Sequence, residues 1–133
     1  MKPYKKLKFN LDVRALNECK RLPYYEYEDR DLKESVLGCA VKSIDGRPSN
    51  LFKKVPDLCS SYRLTSIAAQ LPTITKYITS FNCDVGRVRI FKQEPGKTTK
   101  KHIDEENYYD PPEKHLRIWI AINDSPDFKI FLG

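Results

Sequence analysis

The segment 116–122 constrains the fold of this chain more than any other. Apolar side chains occupy every second position of it, at Leu116, Ile118, Ile120 and Ile122. Because successive side chains of a strand point to opposite faces, this period of two predicts a β-strand whose apolar side chains share one face. Arg117, Trp119 and Ala121 would lie on its other face. The chain is therefore expected to contain a sheet.

Other segments carry weaker patterns, some typical of strands and some typical of helices. Strands are predicted at residues 24–27, 36–41, 85–93 and 127–132. Helices are predicted at residues 12–22 and 72–81. In the second helix, Ile74, Tyr77, Ile78 and Phe81 follow the spacing i, i+3, i+4 and i+7. Turns are predicted at residues 45–48, 95–96 and 123–126, where Gly, Pro, Asn and Asp cluster.

The order of these elements predicts the fold class. Helices come first and strands separated by turns come later, which is typical of an α+β domain whose sheet packs against N-terminal helices. A chain of 133 residues with 40% hydrophobic residues is long and apolar enough for one domain with a core. We therefore expect a single domain over residues 1–133. The last strand would leave an unpaired apolar edge, so we expect this domain to be incomplete at its C-terminus.

Composition narrows the possible classes of protein. No apolar run is long enough to cross a bilayer, and the basic segment 1–8 lacks the apolar core of a signal peptide. A cytoplasmic protein is the expectation. Cys19, Cys39, Cys59 and Cys83 are widely spaced without a CxxC pair, which favours free thiols over a zinc site or disulfides.

The net charge of +6 raises the question of a nucleic-acid partner. Much of the excess lies in residues 1–8 and in Lys97, Lys100 and Lys101, and no Arg-rich stripe with interleaved aromatics or known nucleic-acid-binding signature is present. A solvated basic surface explains this charge better than binding to nucleic acid.

The segment His102-Ile103-Asp104 carries the chemistry of greatest interest. It follows the Pro95-Gly96 turn after five intervening residues. In an extended chain, residues i and i+2 point to the same side, so the imidazole and the carboxylate can converge on one metal ion. They would be two arms of the 2-His-1-carboxylate triad that holds non-haem iron. The alternative is that both are exposed loop residues that share a hydrogen bond.

A wider set of motifs surrounds this segment. The strand Gly86-Arg87-Val88-Arg89-Ile90-Phe91 precedes the turn, and Arg117-Ile118-Trp119-Ile120 follows the His-x-Asp segment. This ordered set resembles the aspartyl/asparaginyl β-hydroxylase-like family of iron(II)- and 2-oxoglutarate-dependent oxygenases. The resemblance covers mainly residues 70–133.

The resemblance implies a fold, cofactors and residue roles. The fold would be an incomplete double-stranded β-helix, a jelly-roll or cupin-like sheet, packed against the N-terminal helices. His102 and Asp104 would be the catalytic metal ligands, and Arg117 and Trp119 would lie at the 2-oxoglutarate site. Trp119 stands where many members of the family have a histidine. The family's distal histidine and its cosubstrate-binding arginine come from strands beyond residue 133, and His115 is poorly placed to replace that histidine.

Two functions follow from this resemblance. The first is a dioxygenase that uses iron(II) and 2-oxoglutarate to hydroxylate a free amino acid, a peptidyl Asp or Asn side chain, or a small metabolite; the 133-residue chain alone would then be inactive. The second is a non-catalytic binding or oligomerisation module of the same fold. In that case the exposed final strand could pair with a second copy and form a homodimer.

Overall fold

The computed structural model describes residues 12–27, 36–51 and 59–97 and the single positions 118, 120 and 122. Within this part of the chain there are two α-helices, two 3-10 helices and four strands. In chain order they are α1 (Arg14–Cys19), β1 (Tyr25–Glu26), β2 (Leu37–Ser43), a 3-10 helix (Cys59–Ser61), β3 (Arg63–Leu64), a 3-10 helix (Ser66–Gln70), α2 (Pro72–Thr79) and β4 (Val88–Lys92). The expected mixed α+β class is confirmed; the double-stranded β-helix remains a prediction.

Strand β2 is the centre of the sheet. β4 pairs with it along most of its length, from Leu37 opposite Lys92 to Lys42 opposite Val88. β1 pairs with the beginning of β2 and β3 with its end. Because Gly38 and Lys42 each have partners on two strands, β1 and β3 must share the edge of β2 that β4 leaves free. All three pairings are antiparallel.

The pairing of β2 with β4 contains a β-bulge. Ala40 lies opposite Arg89, whereas Lys42 lies opposite the adjacent Val88, so Val41 is an extra residue in β2. A bulge bends the strand and changes the direction of the side chains that follow it. The alternation of side chains along β2 is therefore interrupted immediately before Lys42.

The main core lies between one face of the sheet and the helices. Cys39 and Val41 of β2 and Ile90 of β4 face it. Ile74 and Ile78 of α2 pack on the same cluster, as the i, i+4 spacing of the predicted helix requires. The other buried members are Ala15, Cys19, Leu22, Ile67 and Leu71. The two helices therefore form a layer that packs on one face of the sheet through a shared core.

A second apolar cluster lies on the opposite face of the sheet. Tyr27, Ala40 and Leu51 are buried in it, and Tyr25, Val36 and Phe91 are partly buried beside them. Ala40 alternates with Cys39 and Val41, which face the main core. Both faces of β2 are therefore covered by apolar side chains.

Most predicted elements form with shifted boundaries. The helices predicted at 12–22 and 72–81 are shorter, as are the strands predicted at 24–27 and 85–93; the strand predicted at 36–41 becomes Leu37–Ser43. β3 and both 3-10 helices were not predicted. The strand predicted at 127–132 lies outside the described residues. Of the strand predicted at 116–122, Ile118 and Ile120 are described outside any strand and Ile122 lies at a bend.

Two side chains that would share one face of the predicted strand 116–122, those of Ile118 and Ile122, differ in their surroundings. Ile118 is 41% exposed, whereas Ile122 packs against the main core. Alternation only determines which side chains would share a face if a strand formed. Formation of a strand also requires a neighbouring backbone to pair with it.

Candidate functional site

The turn after β4 is formed where the sequence predicts it. The Lys97 N–H donates to the Glu94 carbonyl at 3.2 Å, and Gly96 has a φ of +80°. This left-handed conformation suits glycine because it has no Cβ. Since β4 ends at Lys92, opposite Leu37, the turn begins at the end of the sheet where β1 pairs.

The residues with predicted chemical roles come later in the chain. His102, Asp104, Arg117 and Trp119 all lie outside the described residues, as does His115. The neutral imidazole and carboxylate of the His-x-Asp segment are donors that suit iron(II). In the described part of the chain, no group of three or more His, Cys, Asp and Glu residues could hold a metal ion. The described residues thus offer no alternative centre of that kind.

Arg89 of the strand motif lies close to the second apolar cluster. The guanidinium carbon of Arg89 is 5.0 Å from the centre of the Phe91 ring and 5.8 Å from that of Tyr27. Its Nη1 donates to the Leu51 carbonyl at 2.9 Å. Cation–π contacts and this hydrogen bond orient the Arg89 side chain over aromatic rings. Arg89 is therefore part of the packing on this face of the sheet.

Tyr27 is the most deeply buried polar residue of this cluster. Only 1% of the residue is exposed, and its hydroxyl has no hydrogen-bond partner within the described residues. Burial raises the pKa of Tyr27 to about 12, and the charges of Arg89 and Arg87, together with the approach of the Arg89 guanidinium to the hydroxyl, act in the opposite direction. The phenol therefore remains protonated at neutral pH and can act only as a neutral donor or acceptor.

Gly38 makes room for this ring. A Cβ at Gly38 would lie 2.9 Å from Cε2 of Tyr27 and 3.0 Å from its hydroxyl oxygen. Such distances are shorter than van der Waals contact, so a larger residue would force the ring or the strand to move. No sequence pattern points to this site, because the run Tyr24–Tyr27 indicates only a strand.

The cysteines are free thiols, as the sequence predicts. Cys19 and Cys39 are buried, Cys59 is half-buried and Cys83 is exposed. Burial is the main cause that raises the pKa of both Cys19 and Cys39 to about 11. Because the thiolate is the reactive form, these two thiols are poor nucleophiles at neutral pH.

Comparison of the chain with known proteins identifies no similar protein. No protein-family model matches the chain, and searches of curated proteins and of solved structures find no similar protein. Among the described helices, none is both long enough and apolar enough to cross a bilayer.

Proposed function

We propose that this chain belongs to an iron(II)- and 2-oxoglutarate-dependent dioxygenase that hydroxylates an amino acid, a peptidyl Asp or Asn side chain, or a small metabolite. The observation that carries the proposal is the ordered set of motifs, with His102-Ile103-Asp104 after the Pro95-Gly96 turn and Arg117-Ile118-Trp119 beyond it. The described strand β4 and its glycine turn support the proposal, since they supply the local structure that the set requires before the ligands.

Each residue of the set has a distinct role in this proposal. His102 would provide a neutral imidazole nitrogen and Asp104 a carboxylate oxygen to the metal. Arg117 would lie near the cosubstrate, where its guanidinium would add positive charge close to the carboxylates of 2-oxoglutarate. Trp119 would cover the cosubstrate with an apolar ring and exclude water. The bound iron and 2-oxoglutarate would supply the oxidising chemistry, and the protein would aim it.

Metal binding by the His-x-Asp segment tests the proposal directly. Paramagnetic Mn(II), added to the ¹⁵N-labelled chain, is expected to broaden the amide signals of residues 102–104 selectively. His102→Ala and Asp104→Ala should each remove this broadening, because each deletes one ligand. His115→Ala is the matched control, since it removes the other histidine of the chain and should leave the broadening intact.

Two results would contradict the proposal. One is broadening that persists in both His102→Ala and Asp104→Ala. The other is the absence of selective broadening at residues 102–104 at millimolar Mn(II), which would favour a non-catalytic module.

A further inference from the structure

A groove of about 310 Å³ opens at the end of the sheet where β4 begins. It lies between β3, the C-terminal end of α2 and the segment that leads into β4. Its lining includes Lys42, Tyr62, Leu64, Ile78, Phe81 and Val85. Leu64 is 43% exposed, which is unusual for a large apolar side chain in the described part of this chain. The lining is therefore mixed: apolar and aromatic side chains alternate with charged and polar ones, as in sites where a few polar groups orient a small organic ligand.

The β-bulge brings Lys42 to this groove. If Val41 were a regular residue of the strand instead of a bulge, alternation would place the Lys42 side chain on the face of Ala40, away from the helices. With the bulge, Lys42 lines the groove together with Ile78 of α2, which belongs to the main core. Bulges that change the direction of a side chain occur frequently next to functional sites.

Among the described residues, the hydrogen-bond partner of the Lys42 ammonium group is a neutral acceptor. Its Nζ donates to the Val85 carbonyl at 2.5 Å. None of the ion pairs between described residues involves Lys42, although Asp84 lines the same groove. An ammonium has three N–H donors, so two remain for a ligand. A half-buried cation without a carboxylate partner favours the binding of an anion.

The surrounding charges favour the same kind of ligand. Arg63 adds a second cationic residue to the groove lining, and its Nη2 donates to the Asp45 carbonyl at 3.1 Å. Asp84 is the one acidic residue among the described lining. The excess of positive charge is small, which suits a monoanion. A phosphate group or a nucleic-acid backbone would call for a larger cluster of donors.

We propose that this groove binds a carboxylate attached to an apolar body of about the size of one aromatic ring. The carboxylate would bind the Lys42 ammonium, and the apolar body would contact Leu64 and Phe81. The groove lies at the Val88 end of β4, and the Pro95-Gly96 turn follows the other end. The proposal is argued from described residues alone and does not depend on the dioxygenase reaction.

A matched pair of probes tests this on the unmodified chain. 3-Phenylpropionate and its neutral analogue 3-phenylpropanamide have nearly the same shape, and only the first carries a charge. In ¹H–¹⁵N NMR titrations, the carboxylate should shift the amide signals of Lys42, Leu64 and Val85. The amide should bind about tenfold more weakly, because it lacks a charge-assisted hydrogen bond. Equal binding of the two probes, or shifts confined to other regions, would overturn the proposal.

Variants of Lys42 assign the effect to its charge. Lys42→Met keeps most of the apolar stem and should weaken binding of the carboxylate about tenfold, with no change for the amide. Lys42→Arg should retain the preference for the carboxylate. Lys20→Met is the control, because Lys20 is an exposed lysine at the end of α1 outside this groove. Retention of the carboxylate preference in Lys42→Met would also overturn the proposal. If that variant does not fold, the comparison of the two probes on the unmodified chain tests the proposal by itself.

Discussion

At the scale of single residues, two tyrosines of one short segment have opposite hydrogen-bonding states. The Tyr24 hydroxyl donates to the Cys19 carbonyl at 2.7 Å, whereas the Tyr27 hydroxyl has no partner in the described part of the chain. A buried polar group without a hydrogen bond has lost its hydration without compensation. The stabilising contribution of Tyr27 therefore comes from its ring, which packs on Gly38 and Phe91.

This difference predicts opposite effects of removing the two hydroxyls. Tyr27→Phe should change the free energy of unfolding by less than about 0.5 kcal/mol or increase it, because no hydrogen bond is lost. Tyr24→Phe should decrease it by about 1 kcal/mol, because the Cys19 carbonyl loses the closer of its two donors and keeps only the Leu22 N–H at 3.4 Å. Urea unfolding of both variants measures the two values. A loss in Tyr27→Phe as large as that in Tyr24→Phe would show that the Tyr27 hydroxyl has a partner.

At the scale of elements, the start of α2 depends on a residue of α1. The Glu18 carboxylate accepts the Thr73 N–H at 3.0 Å and the Ile74 N–H at 3.4 Å. The first N–H groups of a helix have no partner within the helix, and Leu71 before it offers no side-chain cap. A carboxylate at this end also interacts favourably with the helix dipole. Glu18 thus caps α2 from 55 residues away in the chain.

Loss of this cap should destabilise the protein. We expect Glu18→Ala to lower the free energy of unfolding by about 1–2 kcal/mol. Glu18→Gln should cost less, because its amide oxygen remains an acceptor while the charge is lost. Asn17→Ala, at an exposed neighbouring position, is the control and should stay within about 0.5 kcal/mol. Thermal or urea unfolding compares the three, and equal stabilities of Glu18→Ala and Asn17→Ala would refute the capping role.

At the scale of the whole molecule, burial of thiols and phenols links stability to alkaline pH. Burial is the largest cause of a raised pKa at Cys19, Cys39 and Tyr27, from 9.0 to about 11 for the thiols and from 10.0 to about 12 for the phenol. The folded state therefore keeps these protons at a pH where the unfolded chain releases them. Their contribution to stability is complete below about pH 9 and is lost as the pH rises towards 12.

The free energy of unfolding should accordingly fall steadily above about pH 9. Each unit of pKa difference corresponds to about 1.4 kcal/mol for a fully buried group. Urea unfolding between pH 7.5 and 11.5 measures this decline. Tyr27→Phe should reduce its slope above pH 10, since the variant has no phenol to ionise at that position. A slope in Tyr27→Phe equal to that of the parent chain would argue against the raised pKa of Tyr27.

The sequence by itself determined the local elements and the order of the motifs. The i, i+4 spacing of Ile74 and Ile78 identifies α2, and the Pro95-Gly96 pair identifies the turn after β4, because both depend on backbone preferences of a few adjacent residues. The nature of the His-x-Asp donors also follows from residue types alone.

Only the tertiary structure decided what depends on distant partners. The bulge at Val41 exists because β2 must pair with β4, which lies almost fifty residues later in the chain. That bulge directs Lys42 into the groove, and the pairing of β2 with β1 brings Tyr27 onto Gly38. No local pattern encodes these contacts, since the register of two strands is determined by side chains on both of them and by the packing of the whole sheet.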